Sequence, residues 1–204
     1  MKTLTHLDFL RHGEPVGGRK YRGQTDDPLS DKGWQQMRAA TAGEQAWTAV
    51  VTSPLSRCRD FAEALARERA LALGVDERLK EVGFGAWEGR THAELEQNEP
   101  GAVFAFKRLP RDRRPAGAEP LSGFHDRVAA AYEALLDAHR GGHVLVVCHA
   151  GVIRMAICHA LGLSPGQAYR LNVGSAAMAR VRVEERDAGR LDTLLDLSVG
   201  AKPT

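Results

Sequence analysis

Residues 143–148 read His-Val-Leu-Val-Val-Cys, an apolar run without polar alternation, set between Gly141-Gly142 and His149-Ala150-Gly151. A strand with no polar face must be covered on both sides, the condition of a central strand in a parallel sheet packed between helices. Two more apolar runs, Leu4 to Leu10 and Trp47 to Thr52, also stop abruptly at turns, Arg11-His12-Gly13 and Ser53-Pro54. Helical patterns follow these runs. Ser30 can cap a helix to about Ala42, and Ser53 can cap one through Phe61 and Leu65 to about Leu73, with Gly74 as its stop. Ser122 can cap a helix carrying Phe124, Val128, Tyr132, Leu135 and Leu136, and Val152 to Leu161 predicts another. Thr91–Gln97 and Gly101–Leu109 predict two short helices broken at Pro100. Ala168–Val173, Ser175–Val183 and Arg190–Leu197 read as three strands, the last two a hairpin. Strand and helix alternate over most of the chain. The expected fold class is therefore α/β, a three-layer α/β/α sandwich with a mainly parallel central sheet. With 204 residues, 43% of them hydrophobic, one domain spanning 1–204 is expected.

In such a sheet the carboxyl ends of the strands form one crevice, and ligands sit there. Arg11, His12, Arg57 and His149 all lie just past strand ends. Two guanidiniums and two imidazoles converging on one spot suit a dianion, with phosphate the natural candidate. The planar guanidinium fork donates paired hydrogen bonds to phosphate oxygens and stays charged at any working pH. A neutral imidazole can attack phosphorus, and the resulting phosphoramide splits hydrolysis into two easier steps. A leaving alkoxide also needs a proton. Glu81, in a glycine-rich loop, is the best-placed candidate, although its position alone does not separate it from a surface carboxylate.

Four segments in order then make the chain resemble the histidine phosphatase, or phosphoglycerate mutase-like, superfamily. They are Arg11-His12-Gly13-Glu14, Ser53-Pro54-Leu55-Ser56-Arg57, the loop from Glu81 to Gly89, and Val147-Cys148-His149-Ala150-Gly151. The resemblance implies that His12 is the phosphorylated nucleophile, Glu81 the proton donor, and Arg11, Arg57 and His149 the phosphate pocket. It further implies a phosphomonoesterase that needs no metal or nucleotide cofactor, with residues 91–125 as a substrate-side insertion. The loop Tyr21–Ser30, with Arg22, Gly23 and Gln24 as substrate-binding residues, and Gly117-Ala118-Glu119 look most like α-ribazole phosphatases, which act in cobalamin assembly. Glu119 is a possible ligand for a substrate hydroxyl. Three departures point away from the mutases. Gly18 stands where many members have asparagine, so that Arg22 could supply the missing contact; Val82 replaces a basic residue; and the chain is short. A sugar phosphatase, a mutase and a non-catalytic phospholigand-binding module are the alternatives.

Other classes find little support. Lys and Arg total 28 against 26 Asp and Glu, a net +2 that gives no global case for nucleic acid or an anionic membrane as partner. No apolar run approaches a membrane span, and no H-E-x-x-H, G-x-x-x-x-G-K-[ST] or G-x-S-x-G motif occurs. Cys58, Cys148 and Cys158 form no C-x-x-C pair, which suits small core residues in a reducing compartment. The expectation is a cytoplasmic enzyme for a small phosphorylated metabolite, with no cofactor or metal and an oligomeric state left open. Arg111, Arg113 and Arg114 read as a solvated loop or a basic lid over the substrate. His92, His125, His139, His143 and His159 read as packing or surface groups.

Overall fold

A computed structural model describes residues 1–43 and 46–200, so the last four residues of the expected domain lie outside the described part. The elements run β1 (Thr3–Arg11), α1 (Asp31–Ala40), β2 (Ala49–Thr52), α2 (Ser56–Glu68), β3 (Ala72–Val75), α3 (His92–Asn98), α4 (Ala102–Arg108), α5 (Leu121–Ala138), β4 (His143–Cys148), α6 (Ala150–Ala160), β5 (Met178–Arg186) and β6 (Gly189–Leu197). They build a mixed α/β fold around one six-stranded sheet of order β3-β2-β4-β1-β5-β6. The first four strands in that order are parallel, and β5 and β6 close the sheet antiparallel.

The unalternating run in β4 is explained by two separate cores. Val144, Val146 and Cys148 join Leu7 and Phe9 of β1 in a core that takes in Phe124, Tyr132 and Ile153 from α5 and α6. Leu145 and Val147 face the other way, with Val50 of β2, Met37 of α1 and Phe61 of α2. Successive strand side chains point to opposite faces, so a strand between two helical layers needs an apolar residue at every position.

Several boundaries differ from expectation. The helix expected to reach Leu73 ends at Glu68, and Ala72–Val75 is an edge strand paired with β2. Its stop is Ala70, held in the left-handed region at φ 53°, followed by an amide from Leu71 to the Ala66 carbonyl. An alanine in that conformation leaves no glycine signal to read. Ser53 is not the cap of α2; Leu55 is, and the Ser53 hydroxyl accepts a 3.4 Å bond from the Leu55 amide. Likewise α5 starts at Leu121 with Pro120 as its cap, two residues ahead of the expected Ser122 cap. The strand expected over Ala168–Val173 is a 3₁₀ turn at Pro165–Arg170 capped by Ser164, because Pro165 fixes the first turn.

Candidate active site

Two neighbouring parallel strands create the centre of the site. β1 and β4 pair with Arg11 opposite Cys148, and the His12 amide donates to the Cys148 carbonyl at 3.0 Å. This register puts His12 beside His149 although they lie far apart in sequence; their rings are edge to face with centroids 5.2 Å apart. Both rings are buried, His12 to 6% exposure and His149 to 0%. His12 Nδ1 lies 2.7 Å from the Gly13 carbonyl oxygen. A carbonyl can only accept, so Nδ1 carries the proton and Nε2 keeps its lone pair. Burial, then the charges of Arg11 and Arg57, hold His12 well below its ordinary value near 6.5. His149 is held down by burial, then Arg57 and His12, and its Nε2 is 2.8 Å from the Ser53 hydroxyl. Both rings are therefore neutral at pH 7.

Glycines let backbone come this close. A β-carbon at Gly13 would lie 2.2 Å from the Gly33 carbonyl oxygen in the first turn of α1, where the Ser30 hydroxyl donates to the Glu14 carbonyl. The turn after β1 is thus stapled to the helix that follows it.

Arg57, at the start of α2 and only 1% exposed, donates to the Thr25 and Gly23 carbonyls, both at 2.8 Å. Its Nε and that of Arg11 are buried without a protein partner among the described residues. Donors left in that state cost roughly 1–3 kcal/mol each unless a ligand accepts from them. Arg11 also donates to the Val173 carbonyl at 2.8 Å. Burial, with Arg154 next in effect, pushes Arg11 down to about 10, so it stays charged at neutral pH.

The loop that Arg57 grips is held from its other side by Glu88. This carboxylate accepts from the amides of Gln24 and Thr25, both at 3.2 Å, and from Phe84 at 2.9 Å. Gly23 is left-handed at φ +53°, and a β-carbon there would fall 2.1 Å from Glu88 Oε1. Glu88 lies inside the Glu81–Gly89 loop, where its sequence position carries no signal of this role. Arg22 is buried, with Nε on Asp27 at 2.8 Å and Nη2 on the Val16 carbonyl at 2.6 Å, and it too braces the loop. Its charge still contributes to lowering His12. The side chain of Gln24 is exposed.

Glu81 sits where the loop meets the first turn of α6. Its Oε2 accepts from the Gly151 amide at 3.1 Å and its Oε1 from the Val82 amide at 2.9 Å. A β-carbon at 151 would stand 2.2 Å from Glu81 Oε1, so glycine here leaves room for the carboxylate. Glu119, expected from sequence as a possible ligand for a substrate hydroxyl, has both oxygens bonded to Arg127 at 2.7 and 2.9 Å.

Arg154 was not singled out from the sequence, although it lies one turn beyond Gly151 on α6. Its Nε donates to the Leu171 carbonyl at 3.0 Å, two residues from the carbonyl that Arg11 uses, and it stacks on Tyr169 at 5.2 Å. Tyr169 packs on Phe106 at 4.8 Å, and Arg114 lies over the far ring at 5.8 Å with Nε and Nη2 buried and unpartnered. Arg111 and Arg113 are exposed. The three cysteines are free and buried. Among the described residues no group of three or more His, Cys, Asp or Glu is arranged to hold a metal, and no helix is long and apolar enough to cross a membrane.

Comparison with known proteins identifies the family. Residues 7–195 match the model of the histidine phosphatase superfamily (branch 1). The bifunctional protein Rv2228c of Mycobacterium tuberculosis is 36% identical over 184 residues, covering 87% of this chain and 50% of that protein. The chain thus spans about half the length of that relative. A Shigella boydii protein named "probable phosphoglycerate mutase GpmB" is 33% identical over 186 residues, covering 89% of this chain and 86% of that one. Among solved structures, mycobacterial glucosyl-3-phosphoglycerate phosphatase Rv2419c superposes with a TM-score of 0.85 at 27% identity, covering 97% of this chain and 100% of that chain.

Proposed function

The chain belongs to the histidine phosphatase superfamily, and from that premise we propose that it is a phosphoric monoester hydrolase that works without metal, through a phosphohistidine at His12. The observation that carries this reading is the bond from His12 Nδ1 to the Gly13 carbonyl, which leaves Nε2 as the free, neutral nucleophile. Nε2 attacks phosphorus and the ester P–O bond breaks, while Glu81 gives its proton to the departing oxygen. The Glu81 carboxylate then takes a proton from water, whose oxygen attacks phosphorus; the N–P bond breaks and phosphate and His12 are regenerated. Arg11, Arg57 and the neutral His149 hold the equatorial oxygens, and the unpartnered Nε atoms of the two arginines are donors available for them.

Rapid quenching of turnover of a ³²P-labelled ester, with EDTA present, tests this. Protein-bound label that is stable in alkali and lost in acid is expected in the wild type. His12→Ala should fold and show neither label nor turnover; hydrolysis by that variant at the wild-type rate would eliminate the scheme.

The finer substrate reading is α-ribazole 5′-phosphate, supported by the Tyr21–Ser30 loop and Gly117-Ala118-Glu119. A second reading is favoured by Arg154 and Arg114, two guanidiniums that flank the Tyr169–Phe106 pair, with Arg114 Nε and Nη2 buried without a partner among the described residues: a phosphoester bearing another acidic group, such as a phosphoglycerate. Residues 91–125, which include α3 and α4, would cover that side of the substrate. Val82 beside Glu81 weighs against a mutase. Values of kcat/KM for α-ribazole phosphate, phosphoglycerates and neutral sugar phosphates decide between them, and isomerised product without free phosphate would overturn hydrolysis altogether. The buried free cysteines suit a reducing cytoplasm.

A further inference from the structure

The proton donor of the proposed reaction sits on a loop, and loops hold catalytic geometry only when something fixes their backbone. Here a single arginine does so. Arg127, on α5, donates from Nη1 to the Arg78 carbonyl at 2.6 Å and the Lys80 carbonyl at 2.7 Å, and from Nη2 to the Glu81 carbonyl at 3.1 Å. Its remaining two N–H groups meet Glu119, Nε to Oε1 at 2.7 Å and Nη2 to Oε2 at 2.9 Å. All five guanidinium donors are thereby engaged. Glu119 continues the brace on the other side of Glu81: its Oε2 accepts from the Gly83 amide at 3.2 Å, and its own amide donates to the Gly83 carbonyl at 3.0 Å.

The guanidinium also stacks on Phe124 at 4.6 Å, and the edge of that ring lies 3.1 Å from where a Gly151 β-carbon would stand, the same spot that Glu81 Oε1 approaches. The backbone on both sides of residue 81 and one wall of its carboxylate are therefore built on the same side chain.

We propose that Arg127 and Glu119 are positioning residues that hold the Glu81 carboxylate in line with the leaving group. The pair touches no reacting atom and acts through the loop. This rests on the phosphomonoesterase reading above. A structural pair would lower all activity alike. A pair acting through Glu81 affects the protonation step, which poor leaving groups need and good ones do not.

The test uses the full chain, with Arg127→Lys and Glu119→Gln assayed on 4-nitrophenyl phosphate and on glycerol phosphate. Lysine keeps the charge but cannot form the five-point fork. General acid catalysis is worth roughly 10²–10⁴-fold, so a partial misplacement should lower kcat/KM for glycerol phosphate by about 30-fold or more. For 4-nitrophenyl phosphate the loss of kcat/KM should be about threefold or less, because kcat/KM ends at leaving-group departure and excludes the later water attack in which Glu81 serves both esters. In the Glu81→Gln background, Arg127→Lys should cost almost nothing further, since the group it positions is already disabled. Equal losses of kcat/KM on both esters, or full losses that multiply with Glu81→Gln, would overturn the proposal while leaving the reaction class intact. A wild type that hydrolyses neither ester would overturn the reaction class and the positioning role with it. Glu119→Gln, which keeps shape and volume, supplies the same comparison should Arg127→Lys fail to fold.

Discussion

Gly151 shows how a single residue can decide chemistry by lacking a side chain. A methyl group at this position would collide with Glu81 Oε1, the far end of a side chain that can swing away. Gly151→Ala should therefore fold with a melting temperature close to wild type yet lose turnover of poor leaving groups by about the 10²-fold or more that a misplaced general acid costs, measured as kcat on glycerol phosphate. Gly13→Ala meets backbone instead, the Gly33 carbonyl, which cannot give way without moving α1. That change should cost about 1–3 kcal/mol in denaturant melts, the usual range for overpacking. At this scale the sequence was most informative where a residue bears chemistry of its own. Arg11, His12, Arg57 and His149 could be read as one cluster because each follows a strand. Glu88, Arg127 and Arg154 could not, because their partners are backbone atoms of remote loops, such as the Glu88 bonds to residues 24 and 25. No local spacing encodes such contacts.

Elements were legible in proportion to how they are buried. β4 was plain because both faces are covered, whereas all four residues of β3 are exposed, leaving no apolar pattern to distinguish an edge strand from a helix tail. Leu171 and Val173 gave 168–173 the look of a strand, but Pro165 and Ser164 had already committed the chain to a 3₁₀ turn. The same contrast predicts stability. Leu145 is fully buried between helices, so Leu145→Ala should cost about 2–5 kcal/mol. Leu195, 50% exposed on the edge strand β6, should cost within about 0.5 kcal/mol when changed to alanine. Urea melts of the two variants check both values. A reversed order would mean that β6 is covered by something in solution.

Over the whole molecule, a net charge of only +2 conceals a strongly cationic crevice, and that concentration has a cost in acid. His12 and His149 are held well below 6.5 in the folded chain, mainly by burial. Unfolding frees both rings to take up protons near 6.5, so the unfolded state binds more protons than the folded one below that pH. Stability is thus unaffected by these rings above about pH 7 and falls as pH drops through 6.5, by up to about 1.4 kcal/mol per pH unit for each ring. Melting temperatures at pH 7.5, 6 and 5 check this. The decline between pH 6.5 and 5 should be shallower in the His12→Asn/His149→Asn double variant, and an unchanged slope would rule these rings out as its source. The adjacency of β1 and β4 has one more consequence, for a chain still on the ribosome. A nascent polypeptide halted before residue 143 would contain His12 but lack the neighbouring strand that completes its surroundings, so the pairing of the two rings forms only after His149 has been added.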